Sequence, residues 1–307
     1  MVERDGVELT NLDQPLFEES RATKGDLVDY LDAVHERMLP HLRDRPLSVI
    51  RARPGQAPFM QKNLPKYTPD WVHTVKIWAE ASHREVTYAL CNDRRTLLWF
   101  ANQRAVEFHP ALTRGMHQTH LVLDLDPPEG DRFDLAVRAA HLVRQVLVEG
   151  GLSSLVKTSG AKGLHVLVPV VAGVSIEDLA AATRALAARA ERLDPELATT
   201  AFVKANRGGR VFLDSTRAGG ATIVSAYSPR IRPGTPVSFP VSWDELDDVA
   251  PSGFTIHNVG GMRDAWHTPA DPQTVPTDLI DEGHTIPVAR VSAMHEGKRR
   301  ARARRSS

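Results

Sequence analysis

Apolar residues Leu27, Leu31, Val34, Met38 and Leu42 recur close to every 3.6 positions, which predicts a helix over 24–42. Thr23 and Asp26 stand in front of it at capping-box spacing. A second helix is expected over 134–149 and a third over 176–193, where Ser175 and Asp178 offer the same start signal. Shorter apolar or alternating runs predict strands at 47–52, 86–91, 96–101, 120–126, 154–158, 164–170, 210–214 and 221–226. Residues 228–240 read as a loop, and so do residues 267–287, which carry Pro269, Pro272, Pro276 and Pro287. Helices and strands are interspersed without a strict βαβ alternation. The expected class is therefore α+β, with a mixed, largely antiparallel sheet flanked by helices.

The 307 residues are enough for a substantial core, and 42% hydrophobic with 25% charged residues is ordinary for a soluble domain. No apolar run reaches membrane length, so no membrane partner is expected. The N-terminus lacks a secretion-signal layout. Cys91 is the one cysteine, which excludes an internal disulfide and a cysteine-built zinc site and fits a reducing cytoplasm. The net charge of zero hides an uneven distribution: residues 298–307, KRRARARRSS, hold six of the 38 basic residues and no acid. Residues 1–290 are expected to form one folded domain and 291–307 a basic, disordered tail suited to polyanions.

The segment HLVLDLDPPEG at 120–130 carries the most chemistry. On a strand, Leu121, Leu123 and Leu125 face one way, and Val122, Asp124 and Asp126 the other. Two carboxylates about 7 Å apart along one strand face raise each other's pKa unless a cation intervenes. No lysine or arginine lies within three residues of the pair. A hard divalent ion bound through oxygen is a natural counter-charge, Mg²⁺ or Mn²⁺; two solvated acids before a turn are the plain alternative. In RVFLD at 210–214, Asp214 likewise ends a short strand. Three acids on adjacent strand ends suit two metal ions about 3.5–4 Å apart, as in phosphoryl transfer. Between the acidic strands runs TSGAKGLH, residues 158–165. Gly160 and Gly163 permit a tight, N–H-presenting turn, and Ser159, Lys162 and His165 add donors for a triphosphate. Read alone, it is also an ordinary hairpin turn, and it lacks Walker A spacing.

D-L-D-P, then S-G-x-K-G-L-H, then R-x-F-L-D, in this order, resembles the archaeo-eukaryotic primase superfamily, in particular the polymerase domains of bacterial ligase D. Further matching blocks are L-T-N at 9–11, F-M-Q-K-N-L-P-K-Y-T-P-D-W-V at 59–72, H-P at 109–110, R-G-G-R-V-F-L-D at 207–214, A-Y-S-P-R at 226–230 and W-D-E-L at 243–246. The resemblance implies a primase-polymerase fold around an acidic cleft, acting as a two-metal nucleotidyltransferase on primers or DNA ends in gap filling or non-homologous end joining. It gives Asp124, Asp126 and Asp214 the two metal ions, commonly Mn²⁺, and places His109 in the active site. Ser159, Lys162, His165 and Arg230 are implied to hold the triphosphate, and Phe59 to stack on a base. Lys62, Arg207, Asn11, Gln14 and Lys24 are implied to lie along nucleic acid. The implied partners are DNA, nucleoside triphosphates, a separate DNA ligase and an end-binding protein.

There are departures from the family pattern. Its L-T-N-x-D-K reads L-T-N-L-D-Q here, so Gln14 replaces one of two lysines that grip a 5′-phosphate, while Lys24 matches the other. Ser215 replaces an aromatic residue, and Ala226 a proline. A two-metal nuclease and a catalytically inactive end-bridging module are the rival readings. The triphosphate-type loop argues against the first, and three intact acids against the second.

Overall fold

The helix Lys24–Leu42 forms as its pattern requires. Leu27, Leu31, Val34, Met38 and Leu42 are all fully buried, and the Thr23–Asp26 capping box satisfies donors at both of its ends. The computed structural model describes residues 2–18, 20–79, 83–268 and 270–288. The basic stretch 298–307 and the tail expected over 291–307 lie outside the described residues. Contacts divide the chain into two units. One comprises Met1–Met116, Lys157–Ala161 and Gly219–Pro269; the other comprises His117–Val156, Lys162–Ala218 and Ala270–Ser307.

In the first unit, the strand Pro46–Arg53 is the hub of an antiparallel sheet. It pairs with Gln56–Gln61, Arg84–Leu90 and Ala105–Pro110, and Thr74–Ala79 continues the sheet beside Arg84–Leu90. The helix Lys24–Leu42 packs against the helix Arg94–Asn102. This second helix replaces the strand expected at 96–101. A short apolar run such as TLLWFA does not separate the two states by periodicity. Asp93 decides the matter by accepting the Thr96 N–H at 2.7 Å as an N-cap. The expected strand at 221–226 is reduced to one bridge, Thr222 to Ala111. Ile223 and Ser225 donate to Pro110 and Phe108, so the segment is extended, but the ladder stops where Tyr227 turns to a φ of 65°.

In the second unit, four strands run in the order Ala198–Thr199, Val211–Asp214, His120–Asp126, Leu164–Pro169. Only the first pair is parallel. The helices Phe133–Glu149 and Ile176–Leu193 pack on this sheet, and Leu121, Leu123 and Leu125 are buried in its apolar layer. Ser175 caps the second of these helices by accepting the Asp178 N–H at 3.0 Å. The Asp178 carboxylate contacts His284 at 2.7 Å. Residues 277–285, expected as loop, are a helix, Thr277–Thr285. Its prolines bracket it: Pro276 occupies the N-cap, and Pro287 lies beyond the C-cap. Among the described residues, no helix is long and apolar enough to cross a membrane.

The Thr277–Thr285 helix lies on Ile176–Leu193 through Gly283. A Cβ at Gly283 would run into the backbone of Ala181. Around this contact Glu282 binds Arg189 and Arg192, each at 2.7 Å. Gly283→Ala is therefore expected to destabilise the protein by about 1–3 kcal/mol through overpacking, read as a lowered melting temperature. An unchanged melting temperature would contradict this helix contact.

Candidate active site

Strand register brings the acids of the second unit together. Asp124 pairs directly with Asp214 and Asp126 with Phe212, so all three acids project from one face. On its other side Asp124 pairs with His165, whose Nε2 lies 3.4 Å from its Oδ1. The turn before His165 presses on the acidic strand: a Cβ at Gly163 would collide with the Leu125 carbonyl. Lys162 donates to the Pro127 carbonyl at 3.1 Å. Arg207 lies over the Phe212 ring at 3.8 Å.

The cation missing from the local sequence comes from Arg217. Its Nη2 donates to Asp124 Oδ2 at 3.0 Å, and its Nε lies 3.5 Å from Asp214 Oδ2, an ion-pair distance without hydrogen-bond geometry. Asp214 also accepts from the Thr216 N–H and hydroxyl at 2.8 and 2.6 Å. Burial opposes ionisation of Asp124, but His165 and Arg217 outweigh it and hold its carboxyl below the ordinary range. Asp126 moves the other way. Burial and the Asp124 charge raise its pKa, with Asp214 adding to the rise and Lys162 and Arg207 only partly opposing it. Among the described residues, no group of three His, Cys, Asp or Glu side chains is drawn close enough together to hold a metal ion as it stands. The donor set nonetheless fits a hard divalent ion, because three carboxylate groups share one face and leave negative potential at Asp126.

The first unit holds the other part of the expected phosphate loop, since Lys157–Ala161 belongs to it and Lys162 onward to the second unit. Arg230 Nη1 donates to the Ser159 carbonyl at 2.6 Å. Gly160 has φ 66°, and a Cβ there would come within 2.8 Å of both Arg230 Cγ and the Ser238 N. No other residue fits. Glu107, which the sequence reading missed, ties this group together. Its carboxylate meets His109 Nε2 at 2.9 Å and Arg230 Nε at 3.1 Å, and accepts the Ile231 N–H at 3.0 Å. The Arg230 contact is an ion pair without hydrogen-bond alignment. Burial would raise the Glu107 pKa, but His109, Arg230 and the Ile231 N–H pull it down to about 2. A carboxylate two positions before His109 on a buried strand was the available signal.

Phe59 is not core. It is 42% exposed on the Gln56–Gln61 strand, with the Arg51 guanidinium 5.6 Å from its ring centre. It lines a pocket with Met60, Gln61, Lys62, Asn63 and Arg84. Asn11, at φ 53°, turns the chain ahead of Gln14. Lys24 is buried, and its ammonium donates to the Thr10 carbonyl and, at 2.6 Å, to Asn102 Oδ1. Burial, then the charge of Arg104, lowers its pKa to about 8. Arg104 also reaches Gln14 Oε1 at 3.4 Å, so a cation missed in the sequence stands beside the residue that replaces a family lysine.

Residues 23–269 match the family model described as LigD, primase-polymerase domain. The chain is 35% identical over 260 residues to the bifunctional non-homologous end joining protein LigD of Bacillus subtilis, covering 82% of this chain and 42% of that protein. It is also 35% identical over 260 residues to the multifunctional non-homologous end joining DNA repair protein LigD of Mycobacterium tuberculosis, covering 80% and 34% respectively. The chain thus spans less than half the length of these curated relatives. The solved polymerase domain from Mycobacterium tuberculosis ligase D in complex with DNA is similar with a TM-score of 0.76 and 32% identity, over 85% of this chain and 96% of that one.

Glu107 makes stability pH-dependent. Its folded pKa of about 2 lies below the ordinary glutamate value of 4.5, so its ionised form stabilises the fold above about pH 4.5 and loses that effect as pH falls toward 2. Glu107→Gln is expected to lower stability near pH 7 by up to about 3 kcal/mol. Denaturant unfolding should show the gap from wild type shrinking between about pH 5 and pH 2. A gap independent of pH would remove the charge from this account.

Proposed function

The chain belongs to the LigD primase-polymerase family, and from that membership we propose a DNA-dependent nucleotidyltransferase. It adds ribo- or deoxyribonucleotides to the 3′-hydroxyl of a primer or DNA end, in gap filling or double-strand-break repair in the cytoplasm. The observation that carries the proposal is the register setting Asp124 opposite Asp214 with Asp126 on the same face. Asp124, Asp126 and Asp214 would hold two divalent ions, manganese or magnesium, which when bound supply a lowered hydroxyl pKa and charge neutralisation for departing pyrophosphate.

The chain's own residues do the rest. His165 fixes the Asp124 carboxylate from one side, and Lys162 and Arg207 offset the charge near Asp126. Ser159 and Arg230 offer phosphate donors, with Arg230 aimed by Glu107 and by the Ser159 carbonyl. His109 is oriented by the same carboxylate. Phe59 presents an aromatic face on which any base can stack, with Lys62 beside it for the backbone. Sequence choice then comes from template pairing. A separate ligase and an end-binding protein are the partners such a polymerase calls for.

Asp214→Ala is expected to reduce primer extension in Mn²⁺ by on the order of a hundredfold or more, with DNA affinity nearly unchanged. Incubation with primed template and labelled nucleotides separates the readings. Extension fits a polymerase, shortening a nuclease, and an unchanged but shifted product a bridging module. Wild-type extension by Asp214→Ala would remove the three-acid assignment.

Gln14 leads to a second expectation. A neutral amide bonds a phosphate about half as strongly as an ammonium, so extension on gapped DNA should depend only modestly on a downstream 5′-phosphate. Gln14→Lys should increase that dependence. A strong preference in wild type that the substitution leaves unaltered would transfer the role to Arg104, which already stands next to Gln14.

A further inference from the structure

Arg217 has no place in the polymerase chemistry above, yet it bridges Asp124 and Asp214. We infer that Arg217 is a built-in competitor of the divalent ions and sets the metal concentration at which the acidic face fills. The inference rests on the proposed metal-binding role of the three acids.

Three observations carry it. The first is the choice of oxygens: Arg217 engages Asp124 Oδ2 and Asp214 Oδ2, atoms of the two acids that sit directly opposite each other. A divalent ion shared by these acids and the guanidinium would draw on the same lone pairs and would repel each other as like charges. The second is the weakness of the tether. It consists of one hydrogen bond of 3.0 Å and one contact of 3.5 Å without hydrogen-bond geometry. The third is the exit. The Arg217 side chain is 37% exposed and follows the Val211–Asp214 strand in a segment with no regular structure. A side chain more than a third exposed can swing outward, and its buried Nε, which has no hydrogen bond here, gains water as a partner when it does. Thr216 stays behind on Asp214 Oδ1, so that carboxylate keeps its orientation when the arginine withdraws.

The test is Mn²⁺ binding to the whole protein, by calorimetry or by the electron paramagnetic resonance signal of free Mn²⁺, with no nucleotide or DNA present. Arg217→Gln keeps a polar side chain and removes the charge. It is expected to bind Mn²⁺ about two- to fivefold more tightly than wild type, the range for a partly exposed ion pair. Arg217→Lys retains the charge and is expected to stay close to wild type. Without metal, Arg217→Gln should melt below wild type, and added Mn²⁺ should raise its melting temperature by more than it raises that of wild type. Equal or weaker Mn²⁺ affinity in Arg217→Gln, with wild-type binding abolished by Asp126→Asn, would overturn the inference and leave the metal-binding reading standing. Absence of Mn²⁺ binding by wild type and Arg217→Gln alike would overturn both.

Discussion

Two aspartates facing each other across adjacent antiparallel strands are an electrostatic liability that the surrounding structure has to offset. At an effective dielectric of about 20, two unit charges roughly 5 Å apart repel by about 3 kcal/mol. Like charges directly opposite on a sheet are destabilising for this reason. Asp124 and Asp214 occupy such a pair, and the polar neighbourhood is organised around them. His165 comes from the strand on the far side, and Thr216 and Arg217 from the irregular segment after Asp214. Asp126 remains incompletely compensated. A fold that wanted only stability would place threonine or valine at these positions. The retained anions are what the proposed role of this face in metal binding requires.

Glu107 shows the same economy in the first unit. One buried carboxylate serves as common anchor for His109, Arg230 and the Ile231 N–H. Substitutions at His109 and Arg230 consequently share a partner, and their energetic effects should not add. Gly160 completes the arrangement by letting backbone and Arg230 approach more closely than any side chain would allow.

Much of this was readable from the chain before any coordinates. The alternation of LVLDLD, stopped by Pro127 and Pro128, gave the acidic strand its limits and its two faces. Three helices were legible, two of them from a capping signal that the structure bears out at Thr23 and Ser175, while Phe133–Glu149 starts without a side-chain cap. What stayed hidden depends on tertiary context. Register between distant strands has no local signal, so the direct pairing of Asp124 with Asp214 needed the structure. Arg217 lies in a segment without periodicity and reads as one more solvated charge. TLLWFA is equally good strand and helix until Asp93 is seen to cap it. The prolines around 277–285 look like breakers when they are boundaries. The exposed strand Gln56–Gln61 has no buried face to impose a period of two, and it contains Pro58. The match that sets Lys24 along nucleic acid gives no sign that its side chain is buried.

The burial of Lys24 reaches beyond packing. An ammonium whose pKa has come down to about 8 carries only part of its proton in mildly alkaline solution. Any anion that settles beside it favours the protonated form and draws the missing fraction from the solvent. Association of an anion at this corner of the first unit is therefore coupled to proton uptake near pH 8, and its apparent strength falls as the pH rises through that range.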